Sequence, residues 1–434
     1  MTISVPLLLV LSLAYTKSQA PTPGTPAPQV TGDQNQTTYA GPVKTLTLQE
    51  VLALAERQSP QIQAARADIS GAEAATVTAK AYPNPSAEYL GGYQYRRLPD
   101  AVPGTLQHYG FSLPIDLPNR RSARTAVASL GRTSSEFALE ETQLRVRAMV
   151  KQAFYEVLRR KQQMTLADQN LQLVNDLRRR IGVKVNVGEA GRLELTRADA
   201  ELATARAAVR SAHLRYVTAV SALRAAVGTP MSENITVDGQ LDPRVDLPRL
   251  ENLQKTVLMN HPLLKQANVE VERAQAELKN QRAQRVPEPS VTGYYEHQPD
   301  LGFFELGVSI PLPLWNRRQG PIAEAQAGIN HAQAARDALR LQLTTDLESA
   351  YGEYQVADEQ VRSFQTGALR EAQSALTGAE AAYKAGERGI IDVLDAQRVL
   401  RSVRLECLNA QFDREAALID LERLRAVEVK GNTP

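Results

Sequence analysis

Residues 338–395 read ALRLQLTTDLESAYGEYQVADEQVRSFQTGALREAQSALTGAEAAYKAGERGIIDVLD. Apolar or small side chains stand at Leu343, Leu347, Ala350, Tyr354, Ala357, Val361, Phe364 and Ala368, with gaps that alternate between four and three. That is a heptad seam, the period of one helix packed along another. No proline occurs from Ile322 to Ala385, so the pattern allows one unbroken helix. At ~1.5 Å per residue, roughly 65 residues span about 100 Å, far more than a compact core requires. The seam ends at Gly386-Glu387-Arg388-Gly389, where glycine can take positive φ, and helical spacing resumes at Ile390. The stretch predicts a very long antiparallel helical hairpin.

Upstream the period changes. Helical spacing from Leu46 to about Ala81, with a break at Pro60, gives way after Pro83 and Pro85 to alternation. Tyr89, Gly91, Tyr93 and Tyr95 interleave with Glu88, Gly92, Gln94 and Arg96; Tyr109, Phe111, Leu113 and Ile115 interleave with His108, Gly110, Ser112 and Pro114. These are two strands with one apolar face each, long enough to cross a bilayer, although a half-buried soluble hairpin carries the same pattern. After Leu117-Pro118-Asn119-Arg120-Arg121 comes a proline-free helical stretch to Asn186. Val146, Val150, Ala153 and Val157 keep the four-three rhythm, and Gly188-Glu189-Ala190-Gly191 turns the chain into a helix ending near Val227.

Then the order repeats. Val286-Pro287-Glu288-Pro289 brackets a second pair of alternating stretches, Val291–Glu296 and Phe303–Leu312. Phe111–Arg121 matches Val308–Arg318 with Pro114 and Pro311 separated by 197 positions, and Val146, Val150, Ala153 and Val157 fall on Leu343, Leu347, Ala350 and Tyr354 at the same separation. The glycine turns Gly188 and Gly386 are 198 apart. A repeat that preserves proline brackets, seam phase and turn glycines is a duplication. The chain thus divides into a signal peptide (1–20), a disordered linker (21–44), a first repeat (45–228), a connector (229–248), a second repeat (249–428) and a tail (429–434).

Composition narrows the function. Charged residues make up 23% of the 434 residues and balance to a net +2, so no global field points to nucleic acid. Cys407 is the only cysteine, which excludes an intramolecular disulfide; His108, His213, His261, His297 and His331 share no ligand spacing. No phosphate-cradling loop or nucleophile motif supports an enzyme, and no cofactor or metal site is expected. The apolar run Val5–Tyr15 before Ser18-Gln19-Ala20 resembles a secretory leader, although no Lys or Arg precedes the run. No run of 18 apolar residues exists to form a membrane-crossing helix.

Four amphipathic strands cannot close a barrel alone, and open edges are not tolerated in hydrocarbon. Two chains would pool eight strands around a filled interior; three would give twelve and a lumen, lined by Glu88, Gln94, Arg96, His108, Glu296 and Glu305. Tyr93, Tyr95 and Trp315 suit a membrane interface. The competing reading is a soluble periplasmic coiled-coil adaptor or scaffold whose strands form a small water-exposed sheet.

The double repeat, Tyr82-Pro-Asn-Pro85, Ser309-Ile-Pro-Leu-Pro-Leu-Trp-Asn-Arg-Arg-Gln-Gly320 and Gly386-Glu-Arg-Gly-Ile-Ile-Asp-Val-Leu-Asp-Ala396 resemble the TolC-like outer membrane efflux proteins over about residues 44–428, and the Pro-Leu-Pro-Leu-x-Asn-Arg segment looks like the heavy-metal branch. The resemblance implies a mainly α fold with a small β part. A homotrimer would join a twelve-stranded barrel in the outer membrane to a periplasmic barrel of helical hairpins. It also implies a passive duct for substrates, heavy-metal cations among them, delivered by a periplasmic adaptor (membrane fusion) protein. The inner-membrane pump would be of the resistance-nodulation-division type. It assigns Asp392 and Asp395 to the periplasmic aperture gate, with Arg388 tying its tip to a neighbouring helix. Residues three apart do share a helix face, although both acids would also complement the positive end of a new helix. The first-repeat equivalents are Glu194 and Arg197. The turns, with Gly188, Glu189, Gly191, Gly386, Glu387 and Gly389, are the expected adaptor contacts.

Overall fold

The computed structural model describes residues 44–93, 102–228, 235–241, 245 and 247–426. The expected signal peptide, nearly all of the linker, the tail, and Gln94, Tyr95 and Arg96 lie outside them.

The first repeat opens with strand β1 (Lys44–Leu46) and helix α1 (Leu48–Gln58). Thr47 and Glu50 cap α1 reciprocally: the Thr47 amide donates to Glu50 Oε2 at 2.8 Å, and the Glu50 amide to Thr47 Oγ1 at 3.4 Å. Pro60 ends that helix and starts α2 (Pro60–Lys80), because its missing N–H costs nothing in a first turn. Strands β2 (Ser86–Tyr93) and β3 (Thr105–Pro114) follow, then α3 (Pro118–Asn186) and α4 (Arg192–Val227). After β4 (Ile235–Val237) the second repeat runs α5 (Leu250–Asn260), α6 (Pro262–Ala283), β5 (Ser290–His297), β6 (Gly302–Ser309), α7 (Gln319–Ser363), α8 (Leu369–Ala385) and α9 (Ile390–Arg425). The 69 residues of α3 make a rod of about 100 Å.

Two departures from expectation have simple causes. A parallel pair, β1 with β4, lies at the boundary of the expected linker and first repeat and within the expected irregular connector, where no strand was expected; three-residue strands are too short to show a period. The long seam helix of the second repeat is not unbroken, since Phe364–Ala368 form a single π turn between α7 and α8. Leu343, Leu347, Ala350, Tyr354, Ala357 and Val361 are buried as the seam predicts, whereas Phe364 and Ala368 are only half-buried, and burial resumes at Ala372 and Leu376. A π turn holds one residue more than an α turn. The separation between repeats is 197 before this turn and 198 after it, so the turn absorbs one extra residue.

Each repeat has its own helical core. In the first, Val51 and Leu52 of α1 meet Val146, Val150, Phe154 and Val157 of α3 and Leu223 and Val227 of α4. In the second, Leu253 and Val257 of α5 meet Leu343, Leu347, Ala350 and Tyr354 of α7 and Leu418 and Leu421 of α9. Phe154, fully buried, stands outside the expected rhythm, because α3 packs on α1 as well as on its hairpin partner. At the entrance to α6, His261 is 0% exposed and accepts the Leu263 amide on Nδ1 at 3.2 Å. Burial, and secondarily the Arg423 charge, lowers its pKa to about 4.

Two measurements follow. Deleting Gly367 turns the π turn into an α turn, and the protein keeps its melting temperature to within a few degrees. Deleting Asn170, its counterpart in unbroken α3, rotates the distal helix by ~100° and lowers the melting temperature sharply. His261 binds its proton more weakly folded than unfolded, so stability present above pH 6.5 falls as pH drops toward 4, by about 3 kcal/mol. His261→Ser, the residue at Ser59 in the first repeat, flattens the denaturation midpoint over that interval.

Candidate functional site

The sheet and the hairpin tips carry the candidate features. The four strands form one antiparallel sheet in the order β2-β3-β5-β6, which, among the described residues, leaves one edge of β2 and one of β6 without a ladder partner. Register places Tyr89 opposite Tyr109, Tyr109 opposite Tyr295, and Tyr295 opposite Phe304, an aromatic row across the sheet. Its ring centroids lie 5.1 Å apart for Tyr89 and Tyr109 and 6.2 Å for Tyr109 and Tyr295. Residues two positions along a strand share its face, so Phe111, Leu113, Val291, Leu306 and Val308 extend this apolar surface. All are exposed, Leu306 to 75%. The opposite face carries Glu88, Glu305 and Tyr294 in one row and His108, Glu296, Leu90 and Phe303 in the next, with His108 Nδ1 3.7 Å from Glu296 Oε2. A sheet that exposes all its large apolar side chains on one side, and partly covers His108, Tyr294, Glu296 and Phe303 on the other, departs from the arrangement of a water-soluble sheet. Tyr93 and Trp315 are exposed, Trp315 to 89%. Among the described residues no helix is long and apolar enough to cross a membrane.

At the other end of the helices, the two tips share one geometry. Gly188 and Gly386 have φ of +82° and +78°, a region closed to most side chains. The next amide folds back on the helix: Glu189 N–H donates to the Lys184 carbonyl at 2.8 Å and Glu387 N–H to the Ala382 carbonyl at 3.0 Å. Gly191 and Gly389 are extended first caps of α4 and α9, conformations any residue adopts. Ile181 and Ala198 of the first hairpin pack with Leu376, Ile390, Val393 and Leu394 of the second, so the tips form one apolar cluster.

The expected gate residues sit on its rim. Asp392 lies in the first turn of α9, partly exposed, 3.9 Å from Arg388 Nη1 of the same hairpin; no described neighbouring helix takes Arg388. Asp395 is exposed and 3.4 Å from Arg398 Nη1. The same guanidinium donates from Nη2 to Glu201 Oε2 at 2.9 Å, and Arg401 Nη1 stands 3.9 Å from Glu201 Oε1. Glu201, on α4, is only 8% exposed. A buried carboxylate of one hairpin therefore holds two arginines of the other, one of which also screens Asp395. Sequence reading missed this clasp, because Glu201 sits among many charged helical positions with no local pattern to mark it. On the far side, burial and then the Glu194 charge raise the Tyr383 phenol above its ordinary pKa. The Lys184 ammonium lies 4.4 Å over its ring, beside a cavity of about 380 Å³ lined also by Leu173, Leu177, Arg180 and Glu380.

Where the sheet meets the helices, Arg124 of α3 donates to the carbonyls of Ala79 and Ala81, at 2.8 and 3.0 Å, and pairs with Asp116 at 3.2 Å. Arg120 pairs with Glu288 of the other repeat at 2.6 Å. These contacts fix the exit angle of the long rod.

Known proteins share this architecture over most of the chain. A cobalt-zinc-cadmium resistance protein, CzcC of Cupriavidus metallidurans, is 27% identical over 388 residues, 89% of this chain and 90% of the relative. The crystal structure of CusC superposes with a TM-score of 0.78 at 18% identity, covering 89% of this chain and 93% of that one. The Campylobacter jejuni CmeC outer membrane channel superposes at 0.77 and 16% identity, over 89% and 87%. The fold is thus that of the TolC-like channels, and the soluble adaptor alternative has no support. The model of the outer membrane efflux proteins matches residues 51–229 and 253–426, the two repeats one after the other. The chain belongs to the outer membrane efflux protein family.

Proposed function

We propose that this chain is the outer-membrane duct of a tripartite efflux system that passes heavy-metal cations, working with a resistance-nodulation-division pump. Members of the family are outer-membrane channels that extend into the periplasm, form trimers, and act with periplasmic adaptors and inner-membrane pumps. The single observation that carries the reading is the open four-stranded sheet with its apolar face outward. Three copies pool twelve strands, each β6 edge pairing with the next chain's β2, and the carboxylates of Glu88, Glu296 and Glu305 then face the lumen. A lumen of that charge favours cations over anions. The relative that confers cobalt, zinc and cadmium resistance supports the choice of cargo. The metal is cargo, so passage needs loose, repeated contacts rather than a tight cage.

The tips supply the aperture. Asp392 and Asp395 of three chains aim six carboxylates at one axis, and Arg388 tempers the repulsion in the closed state. The clasp from Glu201 to Arg398 and Arg401 holds the second hairpin against the first. The glycine turns, with Glu189 and Glu387, present the adaptor surface; an adaptor that engages them pulls on the clasp.

The protein is expected to fractionate with outer membranes, to resist alkaline extraction and to have the mass of a trimer; recovery in the soluble periplasm overturns the reading. In planar bilayers, Asp392→Ala with Asp395→Ala raises single-channel conductance by roughly two-fold or more. Glu201→Gln, which leaves both gate acids in place, raises it by a smaller factor. Conductance unchanged in both variants removes the gate and the clasp together.

A further inference from the structure

The two repeats leave the sheet through the same motif but not in the same way. β3 and β6 each run antiparallel to β5, so they point in one direction and deliver Leu117-Pro118-Asn119-Arg120-Arg121 and Leu314-Trp315-Asn316-Arg317-Arg318 to the same end of the sheet. In the first repeat Pro118 supplies a preset φ and α3 begins at that residue. In the second, tryptophan stands at the matching position, the chain runs on without helix or strand, and α7 begins only at Gln319 after Arg318 adopts φ +59°. The result is an eight-residue segment, Ile310–Arg317, in which every residue is exposed.

The segment has an ordered chemistry. Phe304, Leu306 and Val308 make the apolar side of β6, which ends at Ser309; beyond it Ile310, Leu312 and Leu314 alternate in sequence with Pro311 and Pro313, and all three are exposed. Trp315 follows, then Arg317. No acidic residue lies between Glu305 and Glu324, and Arg317 forms no ion pair among the described residues, whereas Arg318 donates to Gln281 Oε1 at 2.6 Å. At the same end of the sheet the Arg121 guanidinium lies 4.2 Å over the exposed Tyr82 ring. Apolar residues giving way to an indole and then to the Arg317 guanidinium, with Arg121 held over the Tyr82 ring at the same end, match the order of a bilayer read from acyl chain to headgroup. Arginine forks suit phosphate oxygens, which accept paired N–H donors.

We propose that Ile310–Arg317 is a phospholipid-binding segment at the periplasmic leaflet of the outer membrane. Leu312, Leu314 and Trp315 sit at the boundary of acyl chains and headgroups, and Arg317, with Arg121, takes the phosphates of anionic phospholipids. The segment locks the sheet to the leaflet at the point where the helical rods begin. This inference rests on the channel reading above, with the helical end of the sheet toward the periplasm.

Trp315 is the only tryptophan in the chain, so its fluorescence reports on this segment alone. The full-length protein is placed in bilayer nanodiscs of phosphatidylcholine and phosphatidylglycerol, with bromine at a shallow acyl position on one lipid or the other. Shallow bromine is expected to quench the emission strongly, and deeply placed bromine less, as an indole at headgroup depth requires. Brominated phosphatidylglycerol quenches more than an equal fraction of brominated phosphatidylcholine, and Arg317→Gln with Arg121→Gln erases that preference. Emission untouched by brominated lipid and by aqueous iodide means that a second copy of the chain covers Trp315; quenching by iodide alone means that it lies in water. Either result overturns the proposal, and equal quenching by the two lipids overturns its anionic part. A failed channel reading is distinct, because the protein then does not enter nanodiscs at all.

Discussion

The backbone amides and carbonyls along the outer edges of β2 and β6 have no ladder partner among the described residues of one chain, and hydrocarbon offers none. Nearly everything else follows from that unmet demand. The edges are satisfied only by other copies, so the sheet exists as a sector of a larger cylinder. Once closed, the cylinder has an outside made of Tyr89, Tyr109, Phe111, Leu306 and Val308 and an inside that carries Glu88, His108, Glu296 and Glu305. The duplication halves the problem, since each repeat contributes one strand pair and β3 pairs with β5 to join them. The helices inherit the same symmetry, with each strand pair handing on to a rod and a hairpin.

Much of this was legible in the sequence because it depends on period. Heptad spacing at Leu343, Leu347, Ala350 and Tyr354, alternation at Tyr109 to Ile115, and positive-φ glycines at Gly188 and Gly386 are local patterns, and the structure keeps them. Features set by distant partners were not legible. β1 and β4 pair across nearly two hundred residues with three residues each. Phe154 is buried by a second neighbour that no single-helix pattern encodes. Glu201 looks like any solvated helical acid until α9 brings Arg398 and Arg401 to it.

The tips combine two kinds of contact. The apolar cluster of Ile181, Ala198, Ile390 and Val393 gains from burial and depends little on salt or pH, while the clasp at Glu201 is electrostatic and sits beside solvent. Both lie next to the glycine turns, whose positive φ at Gly188 and Gly386 sets the path of the chain. Tips assembled this way keep their register through the cluster, while the charged contacts around them lie closer to solvent.

The π turn at Phe364–Ala368 has a consequence for ancestry. Two copies of a duplicated gene segment lose and gain codons independently, yet a coiled seam forbids single-residue changes in length. One wider turn of helix reconciles the copies, leaving the tips in step although the halves no longer count alike. The molecule thus preserves a one-residue difference in length between its halves as a local change in winding, and the π turn marks where the long rod accommodates it.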